Sequence, residues 1–121
     1  MAMLGSIMIA LVALEHLYIL VMEMFLWTTP RVMKTFGTTS EQAQRTRPMA
    51  ANQGLYNGFL AAGLIWSLLH PDGSIGRQIA FFFLGCVLVA ALYGGWSVKK
   101  SIWLMQGLPA LIALLLLWLG Y

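Results

Sequence analysis

The sequence predicts an all-α polytopic membrane protein, a bundle of four transmembrane helices with a short interfacial helix in its first loop. Of its 121 residues, 60% are apolar and only 9% are charged, and the mean hydropathy is +0.81. A soluble domain of this length needs a more polar surface than these charges can supply. The apolar residues also form four runs, each of roughly the 20 residues that about 30 Å of hydrocarbon requires.

The four runs define a single predicted membrane domain, residues 1–121. They lie at about residues 3–27, 51–69, 79–97 and 102–120. Helices are expected because hydrocarbon offers no water to satisfy backbone polar groups, and the alternation typical of a membrane barrel is absent. In the first connection, Thr38 and Glu41 have the spacing of a capping box, which predicts the interfacial helix over about residues 39–45.

The basic residues predict the orientation of the four helices. Six of the seven lie in the first and third connections, namely Arg31, Lys34, Arg45, Arg47, Lys99 and Lys100. Basic residues concentrate in cytoplasmic loops, so loops 1 and 3 are predicted to be cytoplasmic and both termini to lie on the opposite side. This distribution accounts for the net charge of +3 without a nucleic-acid partner.

The first helix carries three ionisable residues, Glu15, His16 and Glu23. A charged side chain at the centre of a bilayer costs about 2.5–3.5 kcal/mol on insertion scales, so we expect all three to face the bundle interior. His16 and Glu23 are seven positions apart and therefore lie only about 20° from each other around the helix. Glu15 and Tyr18 occupy the adjoining sector, which gives this helix one polar side.

The second helix offers polar side chains that match this stripe. Gln53, Tyr56 and Asn57 are spaced i, i+3 and i+4 and share a face, and Asn52 pairs with Tyr56 at i, i+4. These groups are expected to hydrogen-bond the first helix. In the fourth helix, Gln106 is a further polar candidate beside Pro109, which removes a backbone hydrogen bond.

Two interpretations of these polar residues remain open. They are either contacts between helices, each worth about 0.6 kcal/mol in a membrane, or the lining of a site. Neutral amides would hold helices together at a lower desolvation cost, which favours a site. In that interpretation the catalytic acid–base groups are Glu15, His16 and Glu23. The ligand-binding residues are Tyr18, Asn52, Gln53, Tyr56, Asn57 and Gln106.

Three functions are compatible with such a site, and whether the chain is an enzyme stays open. The first is binding or converting a small lipophilic molecule by acid–base chemistry. The second is proton-coupled transport of a small molecule or ion by an oligomer, and the third is a scaffold that binds a membrane partner. No metal ligands are assigned, because there is no Glu-x-x-His pair and only one interior histidine; the cofactor is unassigned.

Small residues predict a homo-oligomer. Gly54, Gly58 and Ala62 recur at intervals of four in the second helix, and Ala91 and Gly95 do so in the third. This pattern lets another helix backbone approach closely. We therefore expect one of these two ridges to form the contact between copies.

Five stretches of the sequence resemble the DUF1304 family of small bacterial membrane proteins. They are EHLY at 15–18, EMFLW at 23–27, NQGLYNGFLAAG at 52–63, FFLGCV at 82–87 and QGLPA at 106–110. The family is named for having no assigned function. The resemblance therefore implies a four-helix protein of the bacterial cytoplasmic (inner) membrane, with these polar residues in its signature, and implies no activity.

Overall fold

The computed structural model describes all residues, 1–121, and every regular element in it is helical. The elements in chain order are α1 (Met3–Met24), α2 (Pro30–Phe36), α3 (Ser40–Leu69), α4 (Gly73–Ser97), a π-helical segment (Trp103–Gly107) and α5 (Leu108–Leu119). The all-α class is thus confirmed, while the bundle of four membrane spans stays a prediction.

Two of these helices, α1 and α4, are long and apolar enough to cross a membrane. Only 28% of the apolar window of each is buried inside the chain. A core helix of a soluble protein would bury most of that surface, because exposing large apolar patches to water is unfavourable. The π-helical segment and α5 together form a shorter apolar helix, Trp103–Leu119.

The predicted start of the second long helix was wrong by about three turns. The structure begins α3 at Ser40 instead of at about residue 51, so residues 40–45 are its first turns and not a separate interfacial helix. The helix continues through Pro48 because Ala43 and Ala50, on either side of it, are buried on one packed face while Pro48 is exposed. Burial of that face outweighs the one backbone bond that proline removes.

The capping box lies one residue later than predicted. The Thr39 hydroxyl accepts the Gln42 N–H at 3.1 Å, and the Gln42 side-chain oxygen accepts the Thr39 N–H at 3.0 Å. This reciprocal pair satisfies two of the backbone donors that a helix start leaves unpaired. The short helix of the first connection is α2, which begins at Pro30 and ends at Phe36. It is followed by Gly37 in the left-handed region at φ 70°.

The chain divides into two compact units. The first unit, residues 1–14 and 60–121, has one large cluster of buried apolar side chains. These are Ile9, Val12, Ala13, Leu64, Ala80, Leu84, Val87, Ala110, Ala113 and Leu117. The second unit, residues 15–59, has a smaller apolar cluster of Ile19, Met22 and Val32, with Trp27 packed against it.

The irregular backbone before α5 follows from its proline. The Leu108 N–H donates to the Trp103 carbonyl, five residues earlier, and residues 103–107 form a π-helical turn. Pro109 cannot donate to the carbonyl of Met105, so the regular hydrogen-bond series is interrupted at this point. The interruption of the backbone hydrogen bonds that the sequence predicts at Pro109 is therefore present in the structure.

Most of the small residues predicted to join copies are packed within the chain, whereas Ala62 is exposed. A methyl group at Gly54 would lie 2.8 Å from Met24 Cγ and 3.2 Å from the Leu20 carbonyl oxygen of α1. In the first unit, Ala91 is buried and Gly95 lies directly beneath the Trp103 ring. Most of both ridges is therefore already covered by neighbouring helices of the same chain.

Candidate functional site

Glu23 lies at the centre of a hydrogen-bonded cluster in the second unit. Its side chain is only 2% exposed. Gln53 Nε2 donates to Glu23 Oε2 and Asn57 Nδ2 donates to Glu23 Oε1, both at 2.8 Å. We call Glu23, Gln53 and Asn57 the Glu23 cluster. The two amides, one turn apart on α3, thus satisfy both oxygens of one carboxyl group on α1.

Glycine in α3 brings the two helices close enough for these contacts. Gly54 follows Gln53 directly, and a methyl group there would stand 3.0 Å from Glu23 Cβ. Gly58 follows Asn57, and its methyl group would meet the Leu20 side chain. An amide residue followed by a glycine occurs twice in α3. The two glycines allow α1 to approach closely, so that both amide side chains reach the same carboxyl group.

The electrostatic setting of Glu23 is unfavourable for an ionised carboxylate without its amide partners. Glu23 belongs to the last turn of α1, where unpaired helix carbonyls carry partial negative charge. No lysine or arginine forms an ion pair with it. The two amide N–H groups are thus the donors that offset its burial.

Glu15 and His16 form a second polar pair on α1. Glu15 Oε1 lies 4.0 Å from His16 Nδ1; His16 is 1% exposed, whereas Glu15 is 26% exposed. The Glu15 Oε1 atom is buried and has no hydrogen-bond partner. Eight residues separate Glu15 from Glu23, about 12 Å along a helix. The three candidate acid–base residues therefore occupy two separate positions.

The other candidate residues are not gathered around Glu23. Tyr18 and Tyr56 are 54% and 60% exposed, and Asn52 is also exposed. Gln106 is half-buried in the π-helical segment, which belongs to the first unit. Of the six predicted ligand-binding residues, only Gln53 and Asn57 contact a candidate acid–base residue.

One polar contact beside the cluster was not predicted. Trp27 Nε1 donates to Thr46 Oγ1 at 3.1 Å, and the Trp27 ring contacts the Phe36 ring with centroids 4.9 Å apart. Thr46 precedes Gln53 by seven residues, and Trp27 follows Glu23 by four. Because Trp27 lies beyond the end of α1, helical spacing in the sequence does not indicate this contact.

An open apolar groove lies on α4. Its volume is about 610 Å³, and it is lined by Phe81, Phe82, Gly85, Cys86, Val89 and Ala90. None of these is a predicted site residue. No group of three histidine, cysteine, aspartate or glutamate side chains is arranged to hold a metal ion.

These features define a class of protein: a small all-helical chain with two helices apolar enough to cross a membrane and a buried carboxyl group between α1 and α3. A family model described as "Protein of unknown function (DUF1304)" matches residues 10–118. The chain therefore belongs to the DUF1304 family, as its sequence resemblance predicts.

A relative in Lactococcus lactis subsp. lactis (strain IL1403), the uncharacterized protein YpaA, is 32% identical over 117 residues. The match covers 95% of this chain and 97% of the relative. No solved structure matches the chain.

Proposed function

We propose that this chain is a polytopic membrane protein whose Glu23 cluster binds a small lipophilic molecule. The observation that carries the proposal is the buried Glu23 carboxyl group, held by two amides and by no cation. A ligand that brings its own hydrogen-bond donor or positive charge would find in this carboxyl group a strong, poorly hydrated acceptor.

A purely structural role accounts poorly for a carboxyl group at this position. Glutamine or serine would hydrogen-bond the same amides without the cost of burying an acid. The position near the end of α1 adds an unfavourable interaction with the helix carbonyls. Polar groups held at such a cost within a membrane helix commonly mark binding or proton-transfer sites.

The exposure of the partners supplies a route to Glu23. Gln53 is exposed and Asn57 is half-buried, so the amides form the outer side of the cluster. Rotation of the Gln53 side chain away from Glu23 Oε2 would open one acceptor to a ligand, while Asn57 keeps the other oxygen in place. Glu23 would then be the group that accepts a hydrogen bond or a proton from the bound molecule.

Native mass spectrometry of the chain purified in mild detergent tests this proposal. We expect the natural sequence to retain a non-lipid mass that Glu23→Gln loses. Glu41→Gln is the matched control, because it makes the same change at an exposed glutamate in the first turn of α3. Loss of the mass in both variants, or its retention in both, would contradict a site at Glu23.

A scaffold function is the second candidate, and the exposed polar side chains favour it. Tyr18, Asn52 and Tyr56 would have no partner on a helix facing lipid, whereas a helix of another membrane protein could hydrogen-bond them. Chemical cross-linking in cells distinguishes the two candidates. A defined partner lost on Asn52→Ala with Tyr56→Phe, and retained in Glu23→Gln, would favour the scaffold.

We also propose that four segments span the bacterial cytoplasmic membrane, with loops 1 and 3 in the cytoplasm. Single cysteines test this topology: Thr35→Cys, Ser74→Cys and Ser101→Cys, each combined with Cys86→Ala. We expect an impermeant maleimide to label position 74 in intact spheroplasts and positions 35 and 101 only after permeabilisation. Labelling of position 35 from outside would contradict the proposed orientation.

A further inference from the structure

Four cations on the short helix α2 and the first turns of α3 have no partner within the chain. Arg31, Lys34, Arg45 and Arg47 are all exposed, and none of them forms an ion pair. Residues 30–47, which we call the cationic segment, contain one acidic residue, Glu41. The segment therefore presents a net charge of +3 (four cations minus one carboxylate) to its surroundings.

The cationic segment is fixed to the end of α1 and is not a loose loop. Val32 of α2 is buried against Ile19 and Met22 of α1. Trp27, which follows α1, joins both parts of the segment, because its ring contacts Phe36 of α2 and its indole N–H donates to Thr46 of α3. Arg45 and Arg47 flank Thr46 directly, so this contact fixes the backbone between them.

Exposed apolar side chains adjoin the cationic segment in the chain. Phe25 and Met49 are 70% and 73% exposed, and Leu26 and Phe36 are also exposed. A surface that combines exposed apolar side chains, a tryptophan and several cations has the composition of segments that lie at the boundary between lipid headgroups and acyl chains. A soluble anionic ligand would not require these apolar side chains.

We propose that the cationic segment binds the headgroups of anionic phospholipids. The phosphodiester groups of the leaflet would pair with Arg31, Lys34, Arg45 and Arg47, while Phe25 and Met49 contact the acyl chains below. This inference does not depend on the Glu23 cluster. It assigns a lipid-binding role to charges that otherwise serve only to orient the chain in the membrane.

The test is lipid selection by the full chain in nanodiscs made from equal parts of phosphatidylglycerol and phosphatidylcholine. The lipid retained after transfer to detergent is counted by native mass spectrometry. Three variants each remove two cations: Arg31→Gln with Lys34→Gln, Arg45→Gln with Arg47→Gln, and Lys99→Gln with Lys100→Gln. The third pair is the matched control, because it lies in the other connection predicted to be cytoplasmic.

We expect the natural sequence to retain more phosphatidylglycerol than phosphatidylcholine. Each of the first two pairs should lower that ratio by roughly 25-fold, since each of the two cations near an anionic surface contributes about fivefold in affinity. The Lys99 and Lys100 pair lies outside the cationic segment and should lower the ratio clearly less than either of the other pairs. An equal fall in all three variants, or in none of them, would overturn the proposal.

Two further measurements distinguish loss of lipid binding from misfolding and from binding of a free anion. Arg31→Lys with Arg45→Lys keeps the charge and should retain the preference, which separates loss of charge from loss of folding. Inorganic phosphate, compared with chloride at equal ionic strength, should not displace phosphatidylglycerol. Displacement by phosphate alone would show recognition of a free anion and overturn binding to the lipid surface.

Discussion

The two units of the chain differ in what their buried residues are made of. The first unit buries ten apolar residues in one cluster and no charged side chain. The second buries a cluster of three apolar residues and two further alanines, Ala43 and Ala50, together with Glu23 and His16. It is also the unit in which Glu23 of α1 hydrogen-bonds the amides of α3, and in which Trp27, just after α1, hydrogen-bonds Thr46 of α3. Packing therefore dominates one unit, and polar contacts form a large part of the other.

This difference separates residues that stabilise the fold from residues that could act on a ligand. Apolar burial is non-directional and tolerates many substitutions of similar volume. A buried carboxyl group with two defined donors is directional, and each partner removed leaves another group unsatisfied. Substitutions in the first unit should therefore change stability alone, whereas substitutions in the second should change stability less and binding more.

The largest loss of stability is expected in the apolar core of the first unit. Leu84 is fully buried on α4, and Leu84→Ala should lower the free energy of unfolding by about 2–5 kcal/mol, because it removes packed atoms and leaves a cavity. Leu92→Ala, on the same helix but 55% exposed, is the control and should cost far less. Unfolding monitored by circular dichroism in mixed detergent micelles measures both. Equal losses would mean that Leu84 is not part of a packed core.

A pair of glycines tests how closely the helices of the second unit approach. Gly54→Ala places a methyl group against Met24, Glu23 and the Leu20 carbonyl, and should cost about 1–3 kcal/mol because backbone cannot move aside cheaply. Gly85→Ala meets nothing within 4 Å and should be neutral or stabilising, since alanine is favoured in helices by about 1 kcal/mol. The same unfolding assay applies. A stabilising Gly54→Ala would contradict the close contact.

Substitution of two adjacent threonines at the start of α3 should change the free energy of unfolding by smaller and unequal amounts. Thr39→Ala removes a cap that accepts the Gln42 N–H and should cost about 1 kcal/mol. Thr38→Ala removes a buried hydroxyl that has no hydrogen-bond partner and should cost little. Comparison of the two unfolding midpoints measures the difference. A larger loss in Thr38→Ala would support a box that begins at Thr38, as the sequence spacing predicts.

Much of the fold follows from the sequence, but helix boundaries do not. The all-α class and the helices α1 and α4 follow from long apolar runs, because the length of such a run is read from the sequence and needs no tertiary information. The start of α3 does not, because Pro48 and the polar residues before it resemble a boundary. Packing of the face formed by Ala43, Thr46 and Ala50 extends the helix back to Ser40, and this packing is visible only in the tertiary structure.

The site is predictable to a similar extent. The spacing of Gln53 and Asn57, and the cost of burying Glu23, identify three residues that the structure does bring together. The same argument also gathers Tyr18, Asn52 and Tyr56, which lie exposed. Periodicity gives the face of a helix but not the rotation of that face relative to its neighbour. It therefore does not separate the residues that hydrogen-bond Glu23 from nearby polar residues, whose role in binding stays a prediction.

The smallest expected change in stability is the coupling energy within the Glu23 cluster. A double-mutant cycle between Glu23→Ala and Asn57→Ala should give a coupling energy of about 0.6 kcal/mol, the average for hydrogen bonds between membrane helices, with about 1.7 kcal/mol as the upper end. The control cycle pairs Asn57→Ala with Glu41→Ala, which share no contact, and should give a value near zero. A coupling this small would mean that the contact contributes little to folding. The cost of burying Glu23 would then be explained by binding, whereas a coupling well above that range would favour a structural role for the cluster.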